Sequence, residues 1–219
     1  MKTSLSAFLL GASSILPAAD IEITVAAANR GYVNSSGVSS WGDGSNYVTG
    51  FSSYRSYFIF DLSSLDGLNV TSARLELWNP TDFSGSGSGT LVTRAIDGTL
   101  NLTGVPTYTY TDLDDGKAYS STFTSSPANA GTFLDITLNQ DFITDLLPKI
   151  GISAIGLGAS LESANSGAYL FGNSATVPLS YTRLVLTGSY GPIPEPSTYG
   201  LILGGLVLAG AAIRRRRKA

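Results

Sequence analysis

Cysteine and histidine are both missing from the 219 residues. Without them the chain has no disulfides, no thiolate or imidazole metal ligands, no Ser-His or Cys-His nucleophile pair, and not the commonest general base. Charge is scarce as well: Asp, Glu, Lys and Arg together reach 13%, too little for a charged helical bundle. What is abundant is glycine, with 25 copies, and Ser, Thr, Tyr and Val recur throughout. That usage suits short strands joined by tight turns. A chain of this length fits one domain of ordinary size with targeting segments at its ends.

The first twenty residues, "MKTSLSAFLLGASSILPAAD", place Lys2 before an apolar stretch at 5–16 and small residues at Ala18 and Ala19. This is the order of a secretory signal peptide, expected over 1–19 with cleavage near Ala19. At the other end, residues 197–213 carry no charge. As a helix those residues would cover roughly 25 Å at about 1.5 Å per residue, the lower limit for spanning a bilayer, and a transmembrane helix is expected over 198–213. Arg214, Arg215, Arg216, Arg217 and Lys218 follow at once, and the positive-inside rule puts this tail at 214–219 in the cytoplasm. Everything between the two apolar segments is then expected across the inner membrane, in the periplasm.

Pro194, Glu195 and Pro196 stand in a Pro-rich linker at 191–197, just before the apolar run. The order of Pro-Glu-Pro, apolar helix and terminal arginines resembles the PEP-CTERM sorting signal of Gram-negative bacteria. The resemblance implies handling by the secretion machinery and then by exosortase, a membrane-embedded transpeptidase-like enzyme. The anchor would then be temporary, and the protein would pass from the inner membrane to the cell surface or beyond. The two prolines keep the tripeptide extended, as a protease-like groove requires. A permanent single-span anchor is the alternative.

Losing Lys2 and the five basic residues of the tail leaves seven Lys and Arg against 16 Asp and Glu, a net charge of about −9 over 20–196. Such a surface repels nucleic acid, and it repels anionic polysaccharide unless cations bridge the two.

Between the ends the chain reads as short strands. "IEITVAA" and "TSARLELWN" alternate, "RSYFIFDL" is almost continuously aromatic and β-branched, and "GTLVTRAID", "PTYTYTDL", "GTFLDITLN", "ISAIGLGAS", "AYLFG" and "YTRLVLTG" follow with turn residues between them. The pattern predicts an all-β domain over 20–190, a jelly-roll-like sandwich of two antiparallel sheets. Only "NQDFITDLLPKI" has helical spacing, which predicts one short helix capped by Asn139. The stretch "YRSYFIFDLSSLDGLNVTSARLELWN" is similar to the core of DNRLRE-type β-sandwich modules. With "NRGYVNSSG" and "AYLFGNS" it resembles an ectodomain that recurs among PEP-CTERM proteins.

Four places could carry chemistry. Asp112, Asp114 and Asp115 have the spacing of a hard-cation loop, although Gly116 falls where another ligand belongs. "WGDGSN" offers Trp41, Asp43 and Asn46, near Tyr47 and Tyr54, as an aromatic face with polar flanks that suits a sugar ring. A solvated acidic turn and a Gly-rich turn are the favoured readings of these two loops, so no cofactor is expected, with calcium the alternative. Asp61 suits a turn cap. Finally, Glu22, Glu76, Glu162 and Glu195 are the glutamates from which a glycoside hydrolase would have to draw a pair, and none sits in a catalytic motif. The expectation is therefore an exported, non-catalytic surface or matrix protein associated with exopolysaccharide. A carbohydrate-active hydrolase and a permanently anchored binding module are the alternatives.

Overall fold

The computed structural model describes residues 20–42, 47, 49–50, 53–80, 89–96, 98–120, 123–125, 130–162, 169–171, 177–191 and 214. The expected signal segment, Asp43, Asn46, Pro194, Glu195, Pro196, the helix expected over 198–213 and residues 215–218 lie outside them. Among the described residues no helix is long and apolar enough to cross a membrane. Residues Asp20–Ser189 form one compact unit.

That unit is a two-sheet antiparallel sandwich. One sheet has the order β1 (Ile21–Ala26), β12 (Thr182–Tyr190), β6 (Leu68–Asn79), β9 (Thr132–Leu138). The other runs β11 (Tyr169–Leu170), β4 (Thr49–Gly50), β5 (Tyr54–Asp61), β10 (Ala154–Glu162), β7 (Gly89–Ala95), β8 (Phe123–Ser125). The hairpin of β2 (Asn29–Asn34) and β3 (Ser39–Trp41) joins it through β5. Four antiparallel pairs nest inside one another: β7 with β8, β6 with β9, β5 with β10, and β1 with β12 outermost. One long ribbon rolled in this way is a jelly roll, as expected.

Strand parity explains the core. Along β6, Ala73, Leu75 and Leu77 face inward with Leu134, Ile136 and Leu138 of β9 and Leu184 and Leu186 of β12. Each such side chain, fully buried, contributes about 1.5–3 kcal/mol. The helix α1 (Gln140–Leu146) adds Phe142, Ile143 and Leu146 to this core. Its cap is the expected one: Asn139 accepts from the Phe142 amide at 3.1 Å. The near-continuous apolar run of β5 has a different cause. Phe58 and Phe60 face the inner core, while Tyr57 and Ile59 face a second cluster outside the sheet with Tyr108, Leu113 and Ile96. A strand buried on both faces loses its polar alternation.

The segment at 98–116 forms the outer cover. "PTYTYTDL", expected as a strand, is instead loop followed by a 3₁₀ turn at Thr111–Leu113. The Thr109 amide donates to Asp112 at 2.6 Å and the Thr109 and Thr111 hydroxyls bond each other, so local side-chain bonds win over a ladder. Gly156 and Gly158 let this cover lie flat. A Cβ on Gly158 would sit 2.5 Å from the Leu113 carbonyl oxygen, and one on Gly156 would sit 2.6 Å from Leu100.

Candidate functional site

The residues expected to hold a sugar divide between surface and core. Trp41, at the end of β3 opposite Gly31, is 43% exposed. Tyr54 begins β5 and meets Tyr32 edge-on at 5.3 Å. Tyr47 is a correction: it is wholly buried, with its ring 5.5 Å from Phe58 and 5.1 Å from Phe171. A tyrosine in a Gly-rich stretch reads as a surface residue, but here the space between the sheets takes it. Burial pushes its hydroxyl pKa up to about 12, and it donates to the Trp78 carbonyl at 2.7 Å.

The aspartates proposed for a cation are also spent elsewhere. Asp114 takes Arg55 at 2.5 Å, Arg94 at 3.1 Å and the Ser160 hydroxyl. Arg55 also donates to the Tyr110 carbonyl at 2.7 Å and lies over the Tyr110 ring. These bonds clasp the outer cover onto β5, β7 and β10. Asp112 serves the Thr109 turn, and Asp115 is exposed. Two guanidiniums already neutralise the central carboxylate, so the loop is a clasp and not a cation cradle. Among the described residues no group of three or more His, Cys, Asp or Glu could hold a metal. Asp61 caps its turn as expected, accepting from the Ser63 amide at 2.9 Å, which holds its carboxyl below the usual range.

The other outer face, that of the four-stranded sheet, carries an arrangement no sequence motif announced. Parity turns Arg74, Glu76 and Trp78 of β6 outward, opposite Thr137, Asp135 and Phe133 of β9. Trp78 and Phe133 meet at 5.1 Å, and Tyr181, 44% exposed, closes the trio at 5.9 and 5.7 Å. Arg183 of β12 stands 4.1 Å from the Phe133 ring centre and 3.1 Å from Glu76. The charges continue across the sheet: Arg74 holds both oxygens of Glu22 on β1, at 2.8 and 3.1 Å, and also pairs with Glu76 and Asp135. The Arg74 guanidinium beside it holds the Glu22 carboxyl below its ordinary value.

The trio is braced from beneath. Arg30, on the inward side of β2 opposite Phe58, is fully buried. It donates to the Pro178 carbonyl at 3.0 Å, to Thr182 Oγ1 at 2.9 Å and to the Val177 carbonyl, and so fixes both ends of the segment that carries Tyr181. Its guanidinium also lies over the Tyr47 ring at 4.6 Å, and Tyr47 in turn holds the backbone of Trp78. Asn79, next along β6, accepts from the Phe171 amide at 3.2 Å. Two buried polar side chains therefore set the positions of two surface aromatics. The signal for Trp78 was present in the sequence: in "ARLELWN" the tryptophan falls on the polar parity of an alternating strand.

A β-sandwich with an aromatic sheet face that no other described segment covers is the class that fold and site define. Residues 192–217, one residue after β12, match the PEP-CTERM protein-sorting motif. The match supports a PEP-CTERM protein, an exosortase substrate anchored transiently in a membrane and then exported. No curated protein matches the chain.

Proposed function

We propose that the sandwich is a non-catalytic component of the cell surface or extracellular polymer layer, and that it holds exopolysaccharide on the outer face of its four-stranded sheet. The observation that carries this reading is the trio of Trp78, Phe133 and Tyr181, set beside Arg183 and Glu76 on a face that no other described segment covers. Aromatic rings offer a flat apolar surface to the C–H face of a pyranose, and the flanking carboxylates and guanidiniums offer bonds to its hydroxyls. Grouped aromatics, two half-buried and one exposed, on the outer face of an acidic domain fit a contact surface.

The carboxylates favour binding over hydrolysis. Glycoside hydrolysis needs one acid held protonated near neutral pH. Glu22, Glu76 and Glu162 are each ion-paired to arginine, and the Glu22 value moves down, not up.

Trp78→Ala should weaken retention on the host's own extracellular polysaccharide about tenfold, since roughly 1.4 kcal/mol is a modest share of a stacking contact. Its thermal midpoint should stay near that of the parent, because the ring is already partly in water. Trp41→Ala, measured beside it, should change retention much less. Retention unchanged by Trp78→Ala would remove the sheet face from the account, and a larger effect at Trp41 would move the contact to the β2–β3 hairpin. Release of reducing sugar from the same polymer would overturn the non-catalytic reading.

A further inference from the structure

Lysine is the rarest charged residue of the exported domain. Between Lys2 and Lys218 there are only Lys117 and Lys149. The five arginines of 20–190 are all committed: Arg30 to carbonyls, Arg55 and Arg94 to Asp114, Arg74 and Arg183 to Glu76. The two lysines, 32 positions apart in a chain that carries excess negative charge, line one cleft of about 470 Å³. That size lies within the range of small-molecule sites, about 300–1,000 Å³.

The cleft has one polar wall and one apolar wall. Tyr119 donates its hydroxyl to Asp145 at 2.9 Å, and Lys117 donates to the same carboxylate at 3.2 Å. Lys117 also pairs with Asp141 at 3.5 Å. Lys149 stands on the 3₁₀ turn after α1, and among the described residues it has no ion pair. The apolar wall is formed by Leu100, Pro148 and Ile155. Lys149 and Leu100 also border a second depression of about 450 Å³ toward Asp61 and Ile152, and Ile152 is 76% exposed. The recess is therefore open to a chain longer than a single ring.

We infer that this cleft binds an acidic sugar unit of a polysaccharide, with Lys149 on its carboxylate, the Asp145–Tyr119–Lys117 set on its hydroxyls, and Leu100 and Pro148 against its C–H face. A free ammonium beside a prearranged acceptor fits a group that is anionic at one position and hydroxylated around the rest. A neutral sugar would leave Lys149 without a counter-charge, and a simple acid would leave the remaining acceptor capacity of Asp145, beyond Tyr119 and Lys117, unused. This inference rests on the reading that the domain holds polysaccharide, but it concerns a different surface from the sheet face. It also supplies what the net charge withholds, a local cation for an acidic polymer that the rest of the surface repels.

Titration calorimetry of the exported protein with oligogalacturonate tests it, alongside the fully methyl-esterified oligosaccharide and poly-L-glutamate. Lys149→Gln should weaken oligogalacturonate binding about tenfold, the scale of one charge-assisted hydrogen bond, at an unchanged thermal midpoint. Lys149→Arg should keep most of the affinity. The ester should bind the parent weakly and show no dependence on Lys149. Absence of oligogalacturonate binding, equal affinity for the ester, equal affinity for poly-L-glutamate, or indifference to Lys149→Gln would each overturn the assignment. Trp78→Ala separates the two readings. If it leaves polymer retention intact while Lys149→Gln abolishes oligogalacturonate binding, the sheet face falls and the cleft stands; the reverse pattern leaves the sheet face and removes the cleft.

Discussion

The two sheets turn their outer faces to different surroundings. The outer face of the β5–β10–β7 sheet is covered by the chain itself: Gly156 and Gly158 remove side chains where residues 98–116 lie, Asn29 donates to the Asn101 and Gly104 carbonyls, and Asp114 clasps Arg55 and Arg94. The outer face of the four-stranded sheet has no such cover among the described residues. It carries instead Glu22, Arg74, Glu76 and Arg183 in alternating charge, ending at Trp78, Phe133 and Tyr181. Similar residue types thus serve opposite ends. Where glycine lets the backbone approach, arginine and aspartate close a surface; where strand parity brings bulky rings outward, arginine and glutamate keep one open.

The sharpest way to break this contrast is to give the covered sheet a side chain. Gly158→Val forces its Cβ into the Leu113 carbonyl and should cost about 3 kcal/mol in urea denaturation, at the upper end for overpacking. Next in size is the clasp. Asp114→Ala leaves Arg55 without a counter-charge and Arg94 with Glu162 alone, and should cost about 2 kcal/mol and speed proteolysis within 98–116. That figure lies below the range for a fully buried pair because the carboxylate is 23% exposed. A loss under about 0.5 kcal/mol would show that packing of Leu113 and Tyr108 alone holds the cover.

On the open face the effects are smaller. The Glu22 carboxyl has its folded pKa below its ordinary value of 4.5, chiefly through its bonds to Arg74. On acidification the unfolded chain therefore takes up this proton first. The contribution of Glu22 is complete above about pH 4.5, and it is lost as pH falls through the lower folded value. Glu22→Gln should leave stability at neutral pH nearly unchanged and should flatten the fall below pH 4.5 slightly. A steep loss at neutral pH would mean that the charge lattice holds the sheet together, which fully exposed pairs seldom do.

Much of the fold was legible because it depends on local repeats. Alternation in β1, β6 and β9, the helical spacing of Phe142, Ile143 and Leu146, and the Asn139 cap all survive in the structure. The strand β2 was not legible, because Asn29, Arg30 and Gly31 are polar or small, and the side chains of Asn29 and Arg30 find partners more than 70 residues away. "PTYTYTDL" misled in the opposite sense. Its tyrosines do face a sheet, but they lie on top of it instead of joining its ladder. Of the site, the outward parity of Trp78 could be read from its own strand. Tyr181, Arg183 and the meeting of Lys117 with Lys149 could not, since β12 and the turn after α1 reach those places only through the rolled topology. Tyr47 shows why composition fails at single residues: the same ring would suit a sugar outside or a core inside, and its partners Phe58, Phe171 and Arg30 are remote in sequence or set in polar surroundings.

Strand order also governs the sequence of assembly. The final strand, β12, is not at the margin of its sheet but sits between β1 and β6. Until residues 182–190 arrive, β1 has no neighbour in its own sheet, and the inner core lacks Leu184 and Leu186. Closing contacts across so long a separation is slow, because the entropy of bringing distant segments together comes before any gain. A chain that cannot finish folding without its last strand stays threadable for nearly its whole length. The segment at 192–217 that matches the sorting motif follows that strand with a single residue between them, so it is synthesised just after the strand that completes the sandwich.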